Sequence, residues 1–217
     1  MLYTHRYSQR MALVISVVNS KGGSGKTTLA TNLARAIQLD GNEVVLIDTD
    51  PQRTASDWSA NQPDGYSLPV VHISNAGLLD TDLDRLADSY DVAVIDGSAK
   101  LEKGTGTSVR VADAVLIPVQ PTPADAWGVA EVSGVVKKTG TKAAIVVSRA
   151  ITGTNLAEEA GQGLSEYDLP VFQTRTHQRV AYAEAMFEGK TVLDVRAPKA
   201  QSEIQGIATE LAELLQS

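Results

Sequence analysis

A chain of 217 residues, 43% hydrophobic and 21% charged, has the length of one large domain and the make-up of an ordinary globular protein, neither disordered nor fibrous. Its 19 basic residues stand against 26 acidic ones, a net charge of −7, so the overall field repels nucleic acid and anionic membrane and leaves DNA contact to a local basic patch. Cysteine is absent and the histidines, His5, His72 and His177, are scattered, which excludes disulfides, thiol nucleophiles, iron–sulfur clusters and thiolate zinc sites and argues against a histidine metal cluster.

At the start, "MLYTHRYSQR" (1–10) lacks the apolar centre of a signal peptide, and Met11 directly precedes the first strand-like run. The expectation is a short extension over 1–11 and a single domain over 12–217, in the cytoplasm. Strand-like runs follow at 12–18, 43–48, 68–73, 92–96, 114–119 and 143–147, with a shorter one, "PVF", at 170–172. They are apolar almost throughout, as strands covered on both faces are, and far shorter than the roughly 20 residues of a membrane span. Between them lie helical patterns: Leu29, Leu33 and Ile37 up to Gly41; Leu78, Leu79, Leu83 and Leu86; and Val129, Val132 and Val136. Near the end, Ile204, Ile207, Ala208, Leu211, Leu214 and Leu215 share one helical face, suited to core or partner packing. Glu203, Glu210 and Glu213 supply its polar residues, the wrong charge for a membrane-surface helix. Strands alternating with helices predict an α/β fold, a mainly parallel twisted sheet with helices on both faces.

The segment "NSKGGSGKTT" (19–28) joins the first strand to the first helix. Against the phosphate-loop template G-x-x-x-x-G-K-[ST], Gly25, Lys26 and Thr27 occupy the closing positions, but the opening glycine falls on Ser20. The physics is still supplied. Gly22, Gly23 and Gly25 let the backbone curl, and a helix starting at Lys26 or Thr27 turns N–H groups toward phosphate oxygens. Lys26 then reaches the β- and γ-phosphates and the Thr27 hydroxyl holds Mg²⁺. The template has no place for a second lysine, Lys21.

"KGGSGKTT" resembles the deviant Walker A motif, K-G-G-x-G-K-[TS], of the ParA/MinD superfamily of P-loop ATPases, which tolerates a variable residue where Ser20 stands. The resemblance runs from Met11 to the end of the chain. It implies a P-loop NTPase fold, with ATP held by Lys21, Gly22, Gly23, Ser24, Gly25, Lys26, Thr27 and Thr28. It also implies an ATP-sandwiched homodimer in which each Lys21 contacts the phosphates bound by the other subunit, as an arginine finger does. "LIDTDPQRTASDW" (46–58) is similar to the family's D-x-D-P-Q segment, which makes Asp50 the residue orienting the attacking water and sets Asp48 nearer the magnesium. "YDVAVIDGSAK" (90–100) is similar to a Walker B strand delivering Asp96 to the Mg²⁺ sphere. Where the family continues Thr-Pro-Pro, this chain has Gly97-Ser98-Ala99-Lys100, with Gly97 still a close backbone neighbour for the γ-phosphate. The segment Gly97–Thr107, loosened by Gly104 and Gly106, reads as a nucleotide-sensing switch or as a passive loop. Ser148 and Arg149 stand where relatives carry an adenine-reading asparagine, so that base contact does not carry over.

Within the superfamily, the missing cysteines exclude the nitrogenase iron protein, the acidic C-terminal helix argues against a MinD-type membrane ATPase, and Lys21 weighs against the metabolic relatives. The resemblance is strongest to a small ParA-type partition ATPase. Such a protein dimerises with ATP, binds nucleoid DNA without sequence preference, and hydrolyses ATP slowly until a centromere-binding partner stimulates it. A positioner of a protein cargo, such as a carboxysome or chemoreceptor cluster, and a nucleotide-binding adaptor without turnover remain alternatives. For DNA, Arg149, Arg175, Arg179, Lys190, Arg196 and Lys199 form the candidate patch, which a dimer would duplicate; a scattered set of solvated charges is the other reading.

Overall fold

The computed structural model describes residues 12–86, 88–98, 105–152 and 163–217. The expected extension over 1–11 lies outside them. Strands β1 (Leu13–Val17), β2 (Val44–Asp48), β3 (Val70–His72), β4 (Val92–Asp96), β5 (Ala114–Val119) and β6 (Lys142–Val147) form one parallel sheet in the order β3-β2-β4-β1-β5-β6. Helices α1 (Lys26–Leu39), α2 (Thr54–Ala60), α3 (Leu79–Leu86), α4 (Gly106–Val111), α5 (Pro123–Thr139), α6 (Val180–Phe187) and α7 (Pro198–Gln216) accompany it.

Period-two alternation sorts each apolar strand between two helical layers. Leu13, Ile15 and Val17 of β1 pack with Leu29, Leu33 and Ile37 of α1 and with Ile204, Ile207 and Leu211 of α7. On the opposite face, Val45, Ile47, Ala93 and Ile95 meet Leu79 and Leu83 of α3, while Val115, Ile117 and Ile145 meet Val129, Val132 and Val136 of α5. Both faces of the sheet are therefore dry, and each fully buried leucine or isoleucine contributes roughly 1.5–3 kcal/mol. Asp40 caps α1, and Gly41 leaves it at φ 93°, the left-handed geometry that ends helices.

Three local expectations need correction. The "PVF" run is no strand: Val171 makes an isolated parallel bridge to Ile145, because Pro170 has no N–H with which to extend the ladder. Leu78 belongs to a short 3-10 turn, Ala76–Leu78, and is exposed, whereas α3 begins at Leu79. Glu203 is buried instead of solvated.

The sheet order fixes where a ligand binds. From β1 the chain steps out to β2 and β3, returns to β4 beside β1, and then crosses to β5 and β6 on β1's other side. The carboxyl end of β1 is the switch point, where such sheets open a crevice. The turn after α6 is fixed to α2: Trp58 Nε1 donates to Lys190 O (3.0 Å), and Gly189, at φ 65°, leaves a Cβ only 2.2 Å from the Asn61 backbone.

Candidate nucleotide site

Asn19, buried just beyond β1, shapes the loop that follows. Its Nδ2 donates to Pro118 O (2.7 Å), and its Oδ1 accepts from Lys21 N–H (2.9 Å). Side chains around the loop engage its carbonyls. Gly23 O accepts from Gln120 Nε2 (2.8 Å), Ser24 O from Ser148 Oγ (2.7 Å), and Lys21 O from Lys26 Nζ (2.9 Å). A planar trans peptide sets each carbonyl opposite the next N–H, so Gly22, Ser24 and Gly25 turn their N–H groups away from those partners. Gly23 (φ 77°) and Gly25 (φ 92°) adopt the left-handed backbone this curl requires. The start of α1, with Lys26, Thr27 and Thr28, completes an anion cradle of amides and one cation. Burial lowers the Lys26 pKa, and the charges of Asp96 and Asp50 oppose that. Lys21 is half-buried against α5, where a Cβ added to Gly128 would lie 3.0 Å from Lys21 Cγ and 2.3 Å from Asn19 Oδ1.

Register pairing of β2 with β4 brings Asp48 and Asp96 side by side at the strand ends. Their surroundings differ. Asp48 Oδ1 accepts from Asp50 N–H (3.0 Å), and its Oδ2 accepts from Ser56 N–H (2.9 Å) and Ser56 Oγ (2.7 Å), so this carboxylate builds the turn into α2. Asp50, presented by that turn, accepts from Gln52 N–H (2.9 Å) and lines the cleft. Asp96 is buried, and neither of its oxygens has a hydrogen-bond partner. Burial above all, then the nearby Asp48, pushes its pKa up to about 7, while the Thr27 hydroxyl and the Lys26 charge pull the other way. An unpartnered buried carboxylate next to a hydroxyl fits a hard divalent cation. Among the described residues no protein-only metal cage exists, and Mg²⁺ ordinarily needs none, since substrate phosphates and water complete its shell.

Gly97, expected as a close backbone neighbour of the γ-phosphate, donates its N–H to Val17 O (3.0 Å), and a Cβ there would lie 2.3 Å from Val18 Cγ1. The glycine lets β4 close against β1. Ser98 lines the cleft, while residues 99–104 of the expected switch lie outside the described residues.

The cleft has a volume of about 1140 Å³. The loop forms its floor, the Asp50–Thr54 segment its β2 side, and Ser148, Arg149 and residues 176–180 its β6 side. This last wall has no motif in the sequence. Arg149, at φ 54°, turns its Nη1 toward Gly23 O (3.4 Å). Of the six candidate DNA-binding residues, Arg149 and Arg179 thus belong to the cleft wall. Arg179 pairs with buried Glu203 and Lys190 with Glu188, while Arg175 is half-buried, and Arg196 and Lys199 are exposed at the start of α7. Among the described residues no helix is long and apolar enough to cross a membrane.

Comparison with known proteins agrees with this architecture. The maintenance of carboxysome distribution protein A of Gloeobacter kilaueensis is 31% identical over 205 residues, 91% of this chain and 93% of that protein. An ATP complex of Cyanothece McdA shares the fold at TM-score 0.76 and 17% identity, over 94% of this chain and 97% of that one. A putative plasmid partition protein of Borrelia burgdorferi bound to AMPPNP does so at TM-score 0.76 and 18% identity, over 93% and 99%. Residues 15–192, from β1 through the loop and its carboxylates to the turn after α6, match the family described as the CobQ/CobB/MinD/ParA nucleotide binding domain, and the chain belongs to that family.

Proposed function

We propose that the chain is a ParA/MinD-type ATPase that cycles between a monomer and an ATP-sandwiched homodimer and positions a cargo along DNA. The observation that carries it is the buried Lys26 facing an unpartnered, buried Asp96 beside a loop that bears the additional Lys21. On binding ATP, Lys26 exchanges Lys21 O for phosphate oxygens, and the amides of Gly22, Ser24 and Gly25 donate to the rest. Thr27 and Asp96 would hold Mg²⁺, which neutralises charge developing on the phosphates. Asp48 holds the turn that presents Asp50 to the attacking water, and Lys21 supplies a cation across the dimer interface, which ties hydrolysis to assembly. Residues 12–217 form one domain on this reading.

The similarity to the carboxysome distribution protein, extending over most of both chains, supports a protein body as cargo, recognised through an adaptor partner. Partition of plasmid or chromosomal DNA, through a centromere-binding partner, is the second reading, favoured by the fold shared with the plasmid partition protein. In either case nucleoid DNA is the track. With a net charge of −7 and Arg179 engaged by Glu203, contact falls to exposed cations such as Arg196 and Lys199, with Arg175, and weakens steeply with salt.

Light scattering with ATP, on the wild type, Lys21→Ala and Asp50→Ala, tests the switch, with co-elution on nonspecific DNA. A dimer that accumulates with Asp50→Ala and is lost with Lys21→Ala is the expected result. All three remaining monomeric would refute it, and a dimer that never hydrolyses ATP with DNA and adaptor present would leave a nucleotide-binding adaptor. Imaging a fluorescent fusion beside a labelled protein body and a labelled plasmid separates the two cargo readings.

A further inference from the structure

Glu203 lies on α7, in the apolar stripe that packs α7 on the sheet, with a side chain only 9% exposed. Its carboxylate draws together donors from a single segment. His177 contributes its N–H (3.2 Å) and Nδ1 (2.7 Å), Arg179 its Nε (2.8 Å) and Nη2, and Tyr182 its hydroxyl (2.9 Å). A carboxylate offers about four lone-pair sites, so this one is saturated. His177, Arg179 and Tyr182 all line the nucleotide cleft. The backbone of that wall is tied to the end of β6 by Thr176 N–H to Val147 O (3.1 Å) and Gln178 N–H to Ala150 O (3.0 Å), whereas its side chains are oriented from behind by Glu203.

Sheet order decides which part of a nucleotide meets this wall. Asp48 and Asp96 stand on the β4 and β2 side of the loop, and the wall stands on the β5 and β6 side. With phosphates on the loop, and the cation that Thr27 and Asp96 would hold lying between them and the carboxylate side, sugar and base are directed to residues 148–149 and 176–182. We propose that Glu203 is a positioning residue for the nucleoside half of the nucleotide: from the C-terminal helix it sets the shape of the wall, and with it affinity, without touching substrate. A buried, charged hub in an apolar stripe is not needed for packing, since replacing buried ion pairs by apolar residues is often neutral for stability. Its consequence here is a fixed side-chain arrangement facing the cleft.

This inference rests on the nucleotide-binding reading above, and calorimetry distinguishes failure of one from failure of the other. The wild type, Glu203→Gln and Tyr182→Phe are titrated with ADP and with inorganic tripolyphosphate, which lacks the nucleoside. Glu203→Gln should weaken ADP binding about tenfold, as loss of charge-assisted hydrogen bonds does, and leave tripolyphosphate within about twofold. KM for ATP should rise while kcat at saturation holds. Tyr182→Phe, which removes one donor and retains the ring, should weaken ADP alone by about threefold and keeps the test decisive if Glu203→Gln fails to fold. Equal losses for both ligands, or none for either, would overturn the proposal. A wild type that binds neither ligand would overturn the nucleotide reading and this inference with it.

Discussion

Asp96 and Glu203 are both buried carboxylates on the border of one cleft, and they are treated in opposite ways. Asp96, at the end of β4, has no hydrogen-bond partner, and burial drives its pKa up to about 7. Burial pushes Glu203 upward too, but hydrogen bonds from Arg179, His177 and Tyr182 outweigh it and hold the group below the usual carboxylate range. An unsatisfied buried charge raises the energy of the ligand-free protein and is relieved only by something that binds; a saturated one braces its neighbours. The β4 side of the cleft is thus poised for a cation, and the β6 side is framework.

The sharpest way to break this contrast is Asp96→Asn. Turnover of ATP should fall roughly a hundred- to a thousandfold, the scale of removing one charge-stabilising group, while above about pH 7, where Asp96 is ionised, the ligand-free protein melts at a higher temperature because a buried charge has gone. Parallel activity and melting measurements decide it; a lower melting temperature would mean that Asp96 is already satisfied. Glu203→Ala should act in reverse, costing about 3 kcal/mol in urea unfolding, because Arg179 loses its counter-charge in a largely buried setting. Gly97→Ala addresses the frame of the Asp96 side alone: the added methyl must displace Val18, at about 2 kcal/mol in the same assay, with no polar partner lost. The smallest effect is in acid. A carboxyl with a depressed folded pKa contributes stability that is full above its unfolded value, about 4.3, and is lost as pH falls through the folded value. Glu203→Gln should therefore flatten the acid limb of stability below about pH 4 relative to wild type. A parallel limb in both proteins would assign the acid loss to other groups.

Much of the β4 and β2 side was legible in the sequence, because its parts are local. A glycine-rich loop, two lysines and two threonines lie within the ten residues of "NSKGGSGKTT", and Asp48 and Asp96 each end an apolar run. The motif did not reveal that Asp48 is engaged by Ser56 and the Asp50 amide, a property of the turn into α2, or that the Gly97 N–H is taken by Val17 O, which is decided by β4 lying beside β1. The β6 side was scarcely legible. Arg179 reads as a free surface cation and Glu203 as a solvated residue of an amphipathic helix, yet they meet across 24 positions of chain.

By itself, then, the sequence determined the alternation of strands and helices, the phosphate loop with its two lysines and the carboxylates at strand ends, because hydrophobic period and glycine spacing act within a few residues. Only the tertiary structure decided which buried carboxylate stays unpartnered and which is saturated, and which cations remain exposed. Those properties are set by desolvation and hydrogen bonding among groups distant in the chain, and no short-range pattern encodes them.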